Sequence, residues 1–346
     1  MNQVNASQEE KRRPLGTLAC ITTGFEVVAR NPELIVLPFL LDLFLWLGPR
    51  LSVAPIVASA KAFAAQAFLV EGLPAEVTDT YAGLGKLLDE FSQGFDLFSV
   101  LNPGPLLGVP VLMPGRLSVL RPMGERPAIE MTSVVLMGVW MGLLAVLGLA
   151  LNAIYLRAVG RNVIRETESP LPGPDSPWVL WRRLVKLGLV LFGGVTSVSI
   201  LLSVFVGLVG LFSLPLAGLL MTLVSSMALF MGVHLAFTVP GIVQLRRGLL
   251  SAVRESLLLT RSDFLNVILL LALVLVISRG LNVVWTLPEP NTWSTAVGLL
   301  GHAFVSTALT AALLIFYQER LHFLEALKRL YAAQTQEAKA HPLVGK

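Results

Sequence analysis

Charge is what this sequence has least of: of its 346 residues, 14% are Asp, Glu, Lys or Arg, and 55% are apolar. A soluble domain carries about 25% charged residues. So little charge excludes a fold whose whole exterior faces water. The deficit is also concentrated, since no ionic side chain occurs between Lys186 and Arg246. About 20 apolar residues span a bilayer, so that run alone has room for two crossings. Cysteine is nearly missing as well; Cys20 stands alone, which excludes an intrachain disulfide and a thiolate metal cluster. Histidine occurs four times (His234, His302, His322, His341), and no acids and histidines share metal-ligand spacing. There is no G-x-S-x-G elbow, no H-E-x-x-H, no paired-Glu membrane protease motif and no P-loop. The chain therefore reads as a non-enzyme with no cofactor and no metal. A net charge of +4 would fit a nucleic-acid partner. The basic residues, however, lie between apolar segments, where membrane topology puts them, and no aromatic–basic module accompanies them. The expected partner is the lipid bilayer and not nucleic acid.

What is present is a series of apolar runs. They predict an all-α, polytopic transmembrane bundle of about six helices, near 33–54, 131–156, 187–211, 214–243, 263–284 and 293–316. Residues 1–13 read as a cytoplasmic tail rather than a signal peptide, because Glu26 and Arg30 interrupt the apolar stretch that follows. Leu18, Ile21, Phe25 and Val28 recur at helical spacing and predict an amphipathic helix in the inner headgroup plane. Asn31-Pro32-Glu33 has the residue types of a helix start. Residues 59–130 form an outer segment. Within it Tyr81, Leu84, Leu88, Phe91, Phe95 and Phe98 make an apolar stripe, with Asp79, Lys86, Asp89, Glu90 and Asp96 on other faces. The run from Leu106 to Met113, broken by Pro110 and Pro114, is too short to cross. It predicts an interfacial or partly re-entrant loop packed on protein, since lipid cannot satisfy its backbone. Ser213-Leu214-Pro215 predicts a tight turn, and 319–346 a cytoplasmic helix and tail.

The positive-inside pattern predicts both termini in the cytoplasm of a prokaryotic plasma membrane. The stretch 71–100 has six acids and one lysine, while Arg157, Arg161, Arg165, Arg182, Arg183 and Lys186 crowd a loop of the opposite side. Arg116, Arg121 and Arg126 run against that pattern, but in a segment too long to count strongly. Small residues within the crossings predict close helix packing. They include Gly138, Gly142, Ala145 and Gly148; Gly193, Ser197, Ser203 and Gly207; Gly218, Thr222, Ser226 and Gly232; and Gly301, Ala308 and Ala312. On this reading Gly142→Ile lowers stability.

Two ionisable groups fall at similar predicted depth, about 15 Å from the basic end at 1.5 Å per residue: Asp42 and His234. Such groups are costly in hydrocarbon and often functional. They read either as a midplane polar pair of a carrier, or as a snorkelling or cavity-facing Asp42 and a core His234 bonded to a backbone carbonyl. A further pattern is internal. Glu26 to Gly48 and Leu257 to Arg279 each run from an amphipathic helix through an arginine and capping residues into a crossing. A duplicated transporter-like unit would give this pattern, and so would any elbow helix entering a membrane.

The run from Gly24 to Leu34 with Leu37-Pro38 resembles the opening of a prokaryotic membrane family. So do Ala252 to Leu257 and Phe316-Tyr317-Gln318-Glu319-Arg320. The chain resembles uncharacterised six-helix proteins similar to the membrane domain fused to some glycerophosphodiester phosphodiesterases. The resemblance implies a six-helix bundle with interfacial elbow helices. It implies no catalytic residues here, because the phosphodiesterase domain is lacking, and the outer segment 59–130 departs from the pattern. Two functions remain from sequence: a non-catalytic membrane scaffold or assembly component, and a carrier of a small or lipid-like substrate using a site near Asp42 and His234.

Overall fold

The computed structural model describes residues 14–67, 75–104, 107–115 and 120–340. The expected tail at 1–13, the last residues 341–346, Leu106 and Arg116 lie outside the described residues, as do the side chains of Asp79, Tyr81 and Leu84. Five helices are long and apolar enough to cross a membrane. They are α5 (Val134–Glu166), α6 (Pro177–Phe212), α7 (Leu214–Leu235), α10 (Phe264–Trp285) and α11 (Thr295–Ala340). The chain is an all-α, multi-pass membrane protein. Among the described residues, strands are limited to short pairs, β1 (Arg50–Ser52) with β4 (Ala128–Glu130) and β2 (Leu120–Arg121) with β3 (Gly124–Glu125).

The first expected crossing, 33–54, is shorter than its apolar run. A four-residue 3-10 turn (Pro32–Ile35) leads into the twelve-residue α2 (Val36–Leu47). Gly48 then ends the helix in an extended conformation (φ −72°, ψ 176°), as a residue before proline prefers. Pro49 and β1 follow. Even so, this run connects the two ends of the bundle. Asn31 meets Arg165 and Glu166 at one end, while Trp46 donates its indole N–H to the Pro290 carbonyl, 2.8 Å away, in the turn before α11.

The helix expected to lie in the headgroup plane packs one of its faces against the bundle. In α1 (Thr17–Arg30), Cys20, Ile21, Gly24, Val27 and Val28 are buried, and α11 is its main partner. Gly24 makes the crossing: a Cβ there would meet the Ala308 carbonyl at 2.5 Å and the Ala312 nitrogen at 2.8 Å. Ala303, Ala308, Ala311 and Ala312 give α11 a fully buried small-residue face. Cys20 and Leu15 show why the two helices share an end, since Glu319 accepts the Leu15 N–H.

Helices α6 and α7 form the expected hairpin. Ser213 caps α7 by accepting the Leu216 N–H, and Pro215 occupies the first turn. Beyond that turn the pair stands apart: none of the most apolar window of either helix is buried within the chain. The small-residue stripes consequently miss their expected partners. Cβ positions at Gly138, Gly142, Gly193, Gly207, Gly218 and Gly232 would meet nothing within 4 Å. Packing at glycine is real at Gly24, at Gly148 and at Gly301, where a Cβ would meet the Trp285 ring at 2.6 Å. Spacing shows which residues share a face of a helix, but not whether another helix lies opposite.

The fourth crossing is not continuous to 243. It breaks after α7, and α8 (Thr238–Gln244) follows, buried at every residue. Pro240 has no N–H to offer the Ala236 carbonyl and its ring crowds that group, so the helix cannot run through. The third crossing starts ten residues earlier than expected, at Pro177, so Arg182, Arg183 and Lys186 are helical. The last crossing and the C-terminal helix are one 46-residue element.

The internal likeness has a structural counterpart. α1 and α9 (Leu249–Ser262) are both 14 residues long. Each ends at a junction residue of similar backbone conformation: Asn31 at φ −130°, ψ 68° and Asp263 at φ −141°, ψ 48°. Between α2 and α5 lie α3 (Ala54–Ala67) and α4 (Ala75–Gly94), joined by a Lys61–Asp89 ion pair at 2.5 Å. On α4, Leu87 and Phe91 keep their apolar surface exposed.

Candidate functional site

Asp42 holds a loop. It lies on the inward face of α2 with Leu41, Leu45 and Trp46 and is fully buried. Its Oδ1 accepts the backbone N–H of Leu112 at 2.8 Å and of Met113 at 2.9 Å, and Oδ2 also meets the Leu112 N–H at 2.9 Å. Pro110 and Pro114 keep that stretch from forming a helix of useful length, so its N–H groups need an acceptor from elsewhere. A carboxylate makes short, charge-assisted bonds to them.

Helix α5 supplies the rest of the seat. Asn152 donates Nδ2–H to the Leu107 carbonyl at 2.7 Å. One turn earlier Gly148 admits the Leu101 carbonyl, which lies 2.2 Å from where a Cβ would be. Leu101, Leu107, Val109, Leu112 and Met113 are all buried. The expected loop is thus packed on protein, with the Leu112 and Met113 N–H groups and the Leu107 carbonyl satisfied by Asp42 and Asn152.

At the loop end of α2, Asp96 and Arg126 form a hub. Asp96 Oδ1 accepts the N–H of Leu51 and of Phe98, both at 3.0 Å, and Oδ2 pairs with Arg126 at 2.7 Å. Arg126 also donates to the Gly48 and Pro49 carbonyls at 3.1 and 3.0 Å, and Arg121 donates to the Leu47 carbonyl. These carbonyls end α2 and have no intrahelical partner, and cations suit that end of the dipole. Two of the arginines that ran against the charge pattern therefore have structural positions. A cavity of about 140 Å³ opens beside the hub, lined by Leu45, Phe95, Asp96, Ser99, Met113 and Arg126 among others.

His234 is elsewhere in its bonding. Its Nδ1 lies 2.9 Å from the Phe230 carbonyl of its own helix, and its ring packs on Phe230 and Phe264 at centroid distances of 4.1 and 6.3 Å. Among the described residues no hydrogen bond or ion pair joins it to Asp42. The backbone of His234 matters in another way. Ser256 of α9 donates to the His234 carbonyl at 2.6 Å and accepts the Phe237 N–H at 3.2 Å. One hydroxyl thereby replaces the helical bonds lost at the α7–α8 break.

The end where α5 finishes and α6 begins is tied by ion pairs. Glu166 pairs with Arg30 and Arg165, and Asp175 with Arg183 and Arg246. Glu255 pairs with Arg247 and accepts the Tyr317 hydroxyl, while Asp263 pairs with Arg320 at 2.5 Å. Arg320 also lies 4.7 Å from the Phe316 ring centroid. Gln318, buried, links Gln244 and Thr167. Among the described residues no three His, Cys, Asp or Glu side chains are grouped to hold a metal.

Sequence reasoning singled out Asp42 but not its partners, and it passed over Gly24, Ser256 and the Asp96–Arg126 pair. Arg121 and Arg126 were a usable signal, being cations out of place in their segment. No family model, curated protein or solved structure matches the chain.

Proposed function

We propose that this protein is a non-catalytic membrane scaffold or assembly component of a prokaryotic plasma membrane, with its termini and its arginine-rich end in the cytoplasm. The observation that carries this reading is the bonding of Asp42. A carrier site at that depth needs a carboxylate open to substrate or proton, whereas this one is occupied by the Leu112 and Met113 amides. His234, the other half of a midplane site, is bonded within its own helix. The likeness to the six-helix family is consistent with this reading, and the placement of Arg161, Arg254 and Arg261 at one end supports the orientation by the positive-inside rule.

A scaffold acts through surfaces its own fold leaves uncovered. The apolar, charge-free lengths of α6 and α7 and the exposed Leu87 and Phe91 on α4 are such surfaces. The test has two arms. A photo-crosslinking side chain at position 87 should give a discrete adduct in native membranes. Proteoliposomes loaded with a pH-sensitive dye should show no proton flux above that of empty vesicles. A flux present in the wild type and lost in Asp42→Asn would overturn the proposal in favour of a carrier.

A further inference from the structure

Helix α9 connects two apolar elements at the same end of the bundle, α8 and α10, so it lies along the membrane boundary rather than across it. Its small and polar residues face inward: Ala252, Ser256 and Thr260 are fully buried, together with Leu259. Its outer surface carries Leu250, 85% exposed, and Leu258, with exposed Arg254 and Arg261 between and beyond them. Phe264 and Leu265 extend the apolar side at the start of α10. A helix bearing leucine and arginine on its open side suits an interface where acyl chains and phosphates meet.

Charge pairing at this end is uneven. Glu166, Asp175, Glu255 and Asp263 are each held by an arginine of the same chain. By contrast Arg254 and Arg261 form no ion pair among the described residues, and neither does Arg161 or Lys186. The two acids nearest in sequence, Glu255 and Asp263, are thus held by other arginines, and the Arg254 and Arg261 guanidinium groups remain exposed.

We infer that α9 is a binding face for anionic phospholipid, with Arg254 and Arg261 on headgroup phosphates and Leu250 and Leu258 among the acyl chains. Because Ser256 on the opposite side of the same helix joins His234 to Phe237, lipid held there also braces the α7–α8 break. The inference is independent of whether the protein acts as a scaffold.

The experiment uses the full chain in detergent, titrated with phosphatidylglycerol or phosphatidylcholine and followed by native mass spectrometry. Phosphatidylglycerol adducts should form preferentially and raise the melting temperature. Each arginine near an anionic surface contributes about fivefold in affinity, so Arg254→Gln with Arg261→Gln should weaken the phosphatidylglycerol adducts about 25-fold. Lys86→Gln, on exposed α4, should leave them unchanged. The two arginines are exposed and unpaired, so the double variant should fold with the wild-type melting temperature in lipid-free detergent. Equal binding of the two lipids overturns the inference, and so does a double variant that binds phosphatidylglycerol as the wild type does. A protein dimer that the double variant loses would mean a second copy covers this face, which also overturns it.

Discussion

Asp42 and Leu112 are 70 positions apart in sequence and 2.8 Å apart in space, and that bond fixes the loop at 107–113 to α2. Replacing Asp42 with alanine leaves the N–H groups of Leu112 and Met113 buried without an acceptor. Each such group costs about 1–3 kcal/mol, so Asp42→Ala should lose about 2–6 kcal/mol, read as a lower midpoint in denaturation by SDS. Asp42→Asn keeps an accepting oxygen and should lose less. Hydrogen exchange at Leu112 and Met113 should rise in both variants, and unchanged exchange would show that Asp42 does not hold the loop.

Glycine substitutions should sort by what faces them. Gly24→Ala and Gly148→Ala force a methyl group onto the Ala308 and Leu101 carbonyls, and overpacking of this kind costs about 1–3 kcal/mol. Gly142→Ile, expected from spacing alone to destabilise, has open space before it and should stay within about 0.5 kcal/mol of the wild type. Melting curves of the three purified variants decide the matter.

Ser256→Ala removes both partners of the α7–α8 break while leaving every other contact of α9 in place. Loss of one hydroxyl should lower stability by about 1–3 kcal/mol. Local hydrogen exchange should increase at Phe237 and not along α5. Equal exchange at Phe237 would mean that the break holds itself.

Burial pushes the Cys20 thiol up from 9.0 to about 11, with the nearby Glu319 carboxylate adding to the shift. The folded protein then keeps this proton where the unfolded chain gives it up. The contribution to stability is whole below pH 9 and falls away as pH rises towards 11. A Cys20→Ser variant should lack that part of the alkaline decline, and maleimide at neutral pH should label the wild type only after unfolding. Prompt labelling of the native protein would contradict the burial of this thiol.

How much of this was legible in the sequence depends on what kind of partner each residue has. The five long helices follow from runs without charge, because exclusion from hydrocarbon acts on every ionic side chain alike. That the run ending at Met113 is a loop packed on protein follows from Pro110 and Pro114, which leave too few residues to cross. The break at Pro240 was legible in principle, since proline disrupts a helix wherever it falls inside one. The partner of Asp42 was not legible: it is main-chain N–H, which every residue but proline possesses. Gly142 and Gly148 look alike in sequence, and only the fold decides that one faces empty space and the other Leu101. Ser256 gave no signal, because a serine on an amphipathic helix has no feature that announces a distant carbonyl.

The brevity of α2 has a consequence for the surrounding lipid. From Pro32 to Leu47 the chain climbs about 26 Å, at roughly 2.0 Å per residue through the 3-10 turn and 1.5 Å through α2, whereas the 22 residues of α10 rise about 33 Å. Hydrocarbon beside Val36, Leu40 and Phe44, the uncovered side of α2, therefore has a low wall to match, while a bilayer of ordinary thickness measures about 30 Å. The membrane must pinch on one flank of the molecule and not on the other. Such a lopsided collar deforms the sheet around it and draws neighbours of short hydrophobic length to the pinched side.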